Sequence, residues 1–307
     1  MSPRTHVTTG PFAPPAPRLE LDVTSADGAR LYAEVHGPED APAVVLAHGW
    51  TCSTAFWAAV VKDLAVDHKV VVYDQRGHGR SPASATGYST SLLADDLGAV
   101  LQAALGPGER AVLAGHSMGA MTLMAAADRP YLRERAAALL LCSTGAAKLK
   151  LESRVFAVGP KALRGWAHRT FLHSRLPLGP VTPVGKKLLR YATMGPGARP
   201  AEIEACAYIV HACPPKARGR WGRVLSALDL EAQVRRIPVP TAVIQGLADR
   251  LTPAVHGRRL AAGLPDCLGV TELPGMGHMT PVEAPDAVSG AIRGLVKGHL
   301  MTEGERA

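Results

Sequence analysis

Arg110-Ala-Val-Leu-Ala-Gly-His-Ser-Met-Gly-Ala-Met-Thr-Leu-Met-Ala-Ala-Ala127 decides the fold of this chain. An apolar run, 110–114, leads into Gly115-His-Ser-Met-Gly119, and a run of small and apolar residues follows. The pattern is that of a strand, a sharp turn and a helix, with a serine at the apex of the turn. Gly115 and Gly119 let neighbouring backbone come close, because a strained turn leaves no room for a Cβ. Ser117 then stands above the end of the strand, and the start of the helix aims backbone N–H groups toward its oxygen.

Two further stretches supply residue types that such a serine needs. Val239-Pro-Thr-Ala-Val-Ile-Gln245 reads as a buried strand, and Asp249 lies in the loop Gly246-Leu-Ala-Asp-Arg-Leu-Thr-Pro253 beyond it. Leu268-Gly-Val-Thr-Glu-Leu273 reads as another strand, and His278 lies in Pro274-Gly-Met-Gly-His-Met-Thr-Pro281. In an open α/β sheet the loops beyond the carboxyl ends of the strands gather at one edge. Ser117, Asp249 and His278 are therefore expected to converge. The loop beyond the preceding strand, Leu141-Cys-Ser-Thr-Gly145, holds no carboxylate.

From about Leu19 to about Leu300 the chain resembles the α/β-hydrolase superfamily, and within it the lid-bearing esterases, lipases and C–C hydrolases. His48-Gly-Trp50, Asp74-Gln-Arg-Gly-His-Gly-Arg-Ser81, the serine turn, and Gly277-His278 with Glu283 and Pro285 carry the resemblance, in that order. It implies a nucleophile elbow at Ser117 and the triad order Ser, Asp, His.

The chemistry asks for these types. A serine hydroxyl is a weak nucleophile near neutrality and needs an adjacent base, the role expected of His278. Asp249 is expected to hold the tautomer of the imidazole and to stabilise the imidazolium. The backbone N–H groups of Trp50 and Met118 are the expected oxyanion donors. His48, Gly49, Gly115, His116 and Gly119 are expected to shape the loops around them. His78 is assigned to a tight turn, and Asp74 to an anchor between that turn and Arg76. Asp95 and Asp96 lie on a helical pattern, as solvated groups or as a buried structural pair.

The wider pattern is α/β. Strands are expected at about 19–24, 30–36, 43–47, 69–73, 110–114, 136–142, 239–245 and 267–273. Helices are expected at about 54–66, 90–105, 118–128, 254–263 and 284–299. The first two strands suit an antiparallel hairpin through Asp27-Gly28. The whole reads as a mostly parallel eight-stranded sheet with helices on both faces. The alternation breaks over 147–236, where the resemblance implies an inserted helical cap that shapes the substrate pocket. The expected organisation is a core of 18–146 and 237–300, the cap 147–236, and flexible tails at 1–17 and 301–307.

A hydrophobic content of 47% excludes a disordered chain, and no apolar run reaches the length of a membrane span. The proline-rich start has no signal-peptide core, and five cysteines without metal-ligand spacing suit free thiols, so a cytoplasmic location is expected. Cys52 is expected to fill space near the pocket rather than to react. No metal and no cofactor are expected.

The segment 148–236 holds 17 Lys+Arg against 5 Asp+Glu, a net of +12, whereas the whole chain carries +8. A basic lid is suited to steering acidic substrates, an acidic carrier protein or contact with an anionic membrane. Arginine is spread along the segment rather than clustered, which favours a solvated basic exterior. No nucleic-acid motif accompanies the charge. Of the cap aromatics Trp166, Phe171, Tyr191, Tyr208 and Trp221, some are expected to face the pocket.

The reading is a serine hydrolase that cleaves a carboxylic ester of a small molecule through an acyl-enzyme. Thioesters, lactones, amides, C–C bonds and perhydrolysis use the same triad, because specificity lives in the pocket and lid. A receptor that kept the fold and lost catalysis is the competing class, and an interaction protein working through the basic cap is a third. The intact triad ranks both below the enzyme.

Overall fold

The computed structural model describes residues 7, 9–155, 170 and 172–301. Eight strands form one sheet in the order β1-β2-β4-β3-β5-β6-β7-β8. They are β1 (Leu19–Thr24), β2 (Arg30–His36), β3 (Ala43–Ala47), β4 (Lys69–Tyr73), β5 (Ala111–His116), β6 (Ala136–Cys142), β7 (Thr241–Gly246) and β8 (Cys267–Leu273). β1 pairs with β2 and β2 with β4 antiparallel, and the other neighbours are parallel. The β1–β2 hairpin turns through Asp27-Gly28, where Gly28 has φ 80° and the Asp27 carboxylate accepts from the Ala29 N–H at 3.1 Å.

The helices are α1 (Ala58–Leu64, after a 3₁₀ turn at Thr54–Trp57), α2 (Thr90–Ala104), α3 (Met118–Ala125), α4 (Pro130–Arg135), α5 (Leu149–Glu152), α6 (Pro183–Thr193), α7 (Pro200–Ala212), α8 (Pro215–Ser226), α9 (Glu231–Val234), α10 (Val255–Gly263), α11 (Thr280–Glu283) and α12 (Pro285–His299). Every residue of β3, β4, β5 and β6 is buried, as strands covered on both faces must be. Because side chains alternate along a strand, each strand feeds two cores. Val45, Val71, Leu113 and Leu139 pack with Leu97 of α2, Leu123 of α3 and Leu260 of α10. Val44, Val72, Val112 and Leu140 pack with Val60 of α1 and Ile292 of α12 on the other face.

Several boundaries differ from expectation for local reasons. β7 begins at Thr241 rather than 239, because Pro240 has no N–H; its carbonyl accepts from the Leu139 N–H at 2.9 Å. α3 ends at Ala125 rather than 128, and Pro130 starts α4 as its first residue, a helix not among those expected. Within the stretch expected to be a flexible tail, Phe12 is buried in the second core and the Lys62 ammonium donates to the Gly10 carbonyl at 2.8 Å. Residues 1–6, 8 and 302–307 of the expected tails lie outside the described residues.

The turn after β4 corrects one assignment. Asp74 does not anchor Arg76. Its carboxylate accepts from the Thr54 N–H at 2.8 Å and the Arg80 N–H at 2.7 Å. Arg76 is fully buried; its Nε donates to Asp96 at 2.6 Å and its Nη1 to Asp27 at 2.8 Å. Asp96 is thus half of a buried structural pair, while Asp95 binds Arg129 at the surface at 2.7 Å. Removing one partner of a buried pair strands the other charge, so Asp96→Ala should lower the unfolding free energy by about 3–5 kcal/mol in urea titration. A loss below 1 kcal/mol would show that Asp27 alone holds Arg76.

Between β6 and β7 the chain leaves the sheet. Its two limbs meet where it departs: Ala147 bridges to Asp229, and the Leu230 N–H donates to the Ala146 carbonyl at 2.9 Å. α5 to α9 lie within this excursion.

Candidate active site

β5 runs into α3 through Ser117, which has φ 51° and ψ −115°, a backbone conformation that a side chain adopts only under constraint. The constraint comes from close packing. A Cβ on Gly115 would stand 2.4 Å from the Ala120 nitrogen, and one on Gly119 2.0 Å from the Ala47 carbonyl oxygen. The Ser117 N–H donates to the Cys142 carbonyl at 2.9 Å, and the Thr144 hydroxyl donates to the Ser117 carbonyl at 3.0 Å. Met118 opens α3, whose first N–H groups have no acceptors within the helix.

The loop after β3 lies against this turn. A Cβ on Gly49 would stand 2.7 Å from His116 Nδ1 and 3.2 Å from the Ser117 Cβ. Trp50 follows, and its indole N–H donates to the Arg218 carbonyl of α8 at 3.1 Å, tying the loop to the excursion.

β7 and β8 bring the acid and the imidazole together. Their loops nearly touch, since a Cβ on Gly246 would stand 2.0 Å from the Gly277 carbonyl oxygen. Asp249 and His278 are both buried, and His278 Nδ1 lies 2.8 Å from Asp249 Oδ2. Asp249 Oδ1 accepts from the N–H groups of Leu251 at 2.8 Å and Thr252 at 2.9 Å. The Thr252 hydroxyl donates to Asp249 Oδ2 at 2.8 Å and lies 3.1 Å from His278 Nδ1. A carboxylate only accepts, so Nδ1 carries the proton and Nε2 is left to act as an acceptor. Thr252 was not singled out in the sequence, although an Asp followed three residues later by Thr is a local turn signal.

Three more histidines surround the site, all held neutral by burial. Burial pushes His48 down to about 3 and His78 down to about 4, and it depresses His116 well below the ordinary range. His48 Nε2 accepts from the Gln75 N–H at 3.0 Å, and His78 Nε2 accepts from the Thr51 N–H at 3.2 Å. The His116 Nε2–H donates to the His278 carbonyl at 2.8 Å, and the two rings lie edge to face with centroids 4.9 Å apart. Such weakly basic rings are poor general bases near neutrality. Their hydrogen bonds shape the loops instead.

The loop carrying His278 is fixed from two sides. The Glu283 carboxylate accepts from the N–H groups of Gly277 and Met279 at 3.1 Å each and from Gly195 at 2.6 Å. The His278 N–H donates to the Thr193 carbonyl at 2.7 Å. Thr193 ends α6 and Gly195 follows it, so the excursion itself holds the loop. Burial raises the Glu283 pKa and the three N–H bonds oppose that rise. Glu283→Gln turns an NH₂ toward one or more of these donors. It should cost about 1–3 kcal/mol of stability and lower kcat by up to about 100-fold at nearly constant KM. Unchanged kcat in a destabilised variant would separate folding from positioning.

The aromatic expectations divide. Trp221 does not face a pocket: it is fully buried in the first core, and its N–H donates to the Arg76 carbonyl at 3.0 Å. Tyr191 is exposed, with the Arg250 guanidinium 4.7 Å from its ring centroid, and Tyr208 faces Lys186 at 5.9 Å. Trp166 and Phe171 lie outside the described residues. Cys52 is buried and its thiol pKa is raised by burial, as suits a space-filling group.

The model of the alpha/beta hydrolase family matches residues 44–291, which span the sheet from β3 to β8 and include Ser117, Asp249 and His278. The chain belongs to the alpha/beta hydrolase family. This hydrolase is 32% identical over 252 residues to the "Putative carbamate hydrolase RutD" of Variovorax paradoxus, covering 81% of this chain and 89% of the relative. It is 25% identical to the "Bifunctional esterase/perhydrolase DCH" of Acinetobacter calcoaceticus over 90% of this chain and 99% of the relative. A thermophilic esterase from Thermogutta terrifontis superposes with a TM-score of 0.74 at 25% identity, over 91% of this chain and 98% of that one. Among the described residues no helix is long and apolar enough to cross a membrane.

Proposed function

We propose that the hydrolase cleaves a carboxylic ester of a small molecule, with Ser117 as nucleophile, His278 as base and Asp249 as its orienting acid. The 2.8 Å contact between His278 Nδ1 and Asp249 Oδ2, beside the strained Ser117 turn, carries this reading. Ser117 Oγ attacks the ester carbonyl carbon while His278 Nε2 takes the hydroxyl proton. The carbonyl oxygen becomes an oxyanion held by the N–H groups of Trp50 and Met118. The tetrahedral intermediate collapses, the C–O bond to the alcohol breaks, and the imidazolium returns the proton to the departing alkoxide. Water, deprotonated by the same imidazole, then attacks the acyl-enzyme, releasing acid and free serine. In this reading 147–236 acts as the cap that shapes the acyl and alcohol sites.

The names of the relatives support attack at a carbonyl, since esters, carbamates and peracids share it. A fluorophosphonate probe should label the protein, and Ser117→Ala should abolish the labelling. A parallel panel of chromogenic esters from acetate to dodecanoate should show turnover with a chain-length optimum. Labelling without ester turnover would move the substrate to a thioester, lactone, amide or C–C bond. Absence of labelling in folded protein would reject the activated serine.

A further inference from the structure

The excursion turns an apolar, cationic face outward. From Leu172 to Ala201 the sequence has no Asp or Glu, while Lys or Arg stands at 175, 186, 187, 190 and 199. On α6, Val184, Lys187, Leu188 and Tyr191 follow the spacing that puts residues on one side of a helix, and all four are exposed. Val184 is 66% and Leu188 64% exposed, and Leu176, in the segment leading to the helix, is 75% exposed. The opposite side, with Leu189, Ala192 and Thr193, turns inward. A solvated helix places its apolar stripe inward and its polar face outward, and α6 keeps a second apolar stripe in water. Exposed Lys187 stands within that stripe, and exposed Arg175 and Arg190 accompany it.

Two carboxylates reach this segment: Glu202 pairs with Arg199, and Glu204 binds Lys186 at 2.9 Å. Among the described residues the cations left to the stripe are Arg175, Lys187 and Arg190. We propose that α6 and the Arg175–Leu178 segment before it form a docking surface for an anionic lipid membrane. Valine, leucine and tyrosine side chains would enter the boundary between headgroups and acyl chains, and the flanking cations would meet lipid phosphates at the headgroup level. An aromatic ring and long cationic stems are suited to that depth. The C-terminal end of α6 contacts the His278 loop through the Thr193 carbonyl, so docking would bring the candidate active site close to the lipid.

Flotation of the full chain with vesicles tests this directly. Vesicles of phosphatidylcholine with phosphatidylglycerol should capture the protein at least about tenfold better than phosphatidylcholine alone, and high salt should weaken capture. Lys187→Glu should reduce capture at least about fivefold, and Leu188→Asp about tenfold. Arg30→Glu changes net charge equally on the distant β2 and should stay within about twofold. Circular dichroism melts establish that each variant folds. Equal loss in Arg30→Glu and Lys187→Glu would overturn the proposal, because general basicity would then explain capture. Absence of a preference for anionic vesicles would overturn it as well. Capture by polyglutamate instead, with the same dependence on Leu188, would assign the face to an acidic protein. Capture is read without turnover, so its outcome stands apart from that of the ester assay.

Discussion

Ser117→Ala should lower kcat by roughly a million-fold while leaving the fold in place. The hydroxyl is the only group removed. Without it His278 has no proton to take, and no acyl-enzyme forms. A residual rate of about 10³–10⁴ over water is expected, because oxyanion donors and substrate binding survive. The backbone at Ser117 keeps its φ of 51° through close packing around Gly115 and Gly119, so alanine meets the same constraint. The urea midpoint should therefore correspond to a stability change within about 0.5 kcal/mol. Single-turnover and steady-state kinetics on the best chromogenic ester give the rate. Retention of a tenth of the activity would show that another nucleophile does the chemistry.

Asp249→Asn should lower kcat about 10⁴-fold, with a small effect on KM. The reason is the direction of one hydrogen bond. The N–H groups of Leu251 and Thr252 both donate to Oδ1, so an asparagine keeps its oxygen there and turns its NH₂ toward His278. Nδ1 must then accept, the proton moves to Nε2, and the imidazole loses the lone pair that should face Ser117. The Thr252 hydroxyl, which now donates to Oδ2, loses its acceptor as well. Because the defect is one of tautomer, the rate should partly recover at high pH, where hydroxide competes as the base. A kcat within tenfold of wild type would point to a different acid.

The sheet was legible because its strands are short β-branched or aliphatic runs, each ended by glycine, proline or a charged turn. Lys69-Val-Val-Val-Tyr73 and Ala136–Cys142 match the observed strands at both ends. The meeting of Asp249 and His278 followed from strand order alone, since parallel strands deliver their following loops to one edge. What the sequence hid was long-range. Asp74 and Arg76 are neighbours in sequence, yet Arg76 finds Asp96 and Asp27 across space. Trp221 was one of five cap aromatics of which only some were expected at a pocket, because aromatic character says nothing about which side of a helix meets the core. In sequence Glu283 is only part of the motif that follows Gly277-His278, and its work, clamping three backbone N–H groups, depends on Gly195, far away in the chain. The apolar outer stripe of α6 was hidden for a similar reason: which of Val184, Leu188 and Leu189 meets the core is decided only when the chain is folded.

The clamp at Glu283 has a mechanical meaning. Thr193 and Gly195, at the end of α6, hold the backbone of the loop that carries His278. Displacing the end of α6 would release the backbone on which the imidazole stands. In the reading proposed above, a cap that opens would therefore have to hinge elsewhere than at the end of α6. A segment transplanted from a relative to change specificity would need to bring its own strap for the histidine, or the new pocket would open onto an engine with its crankshaft unbolted.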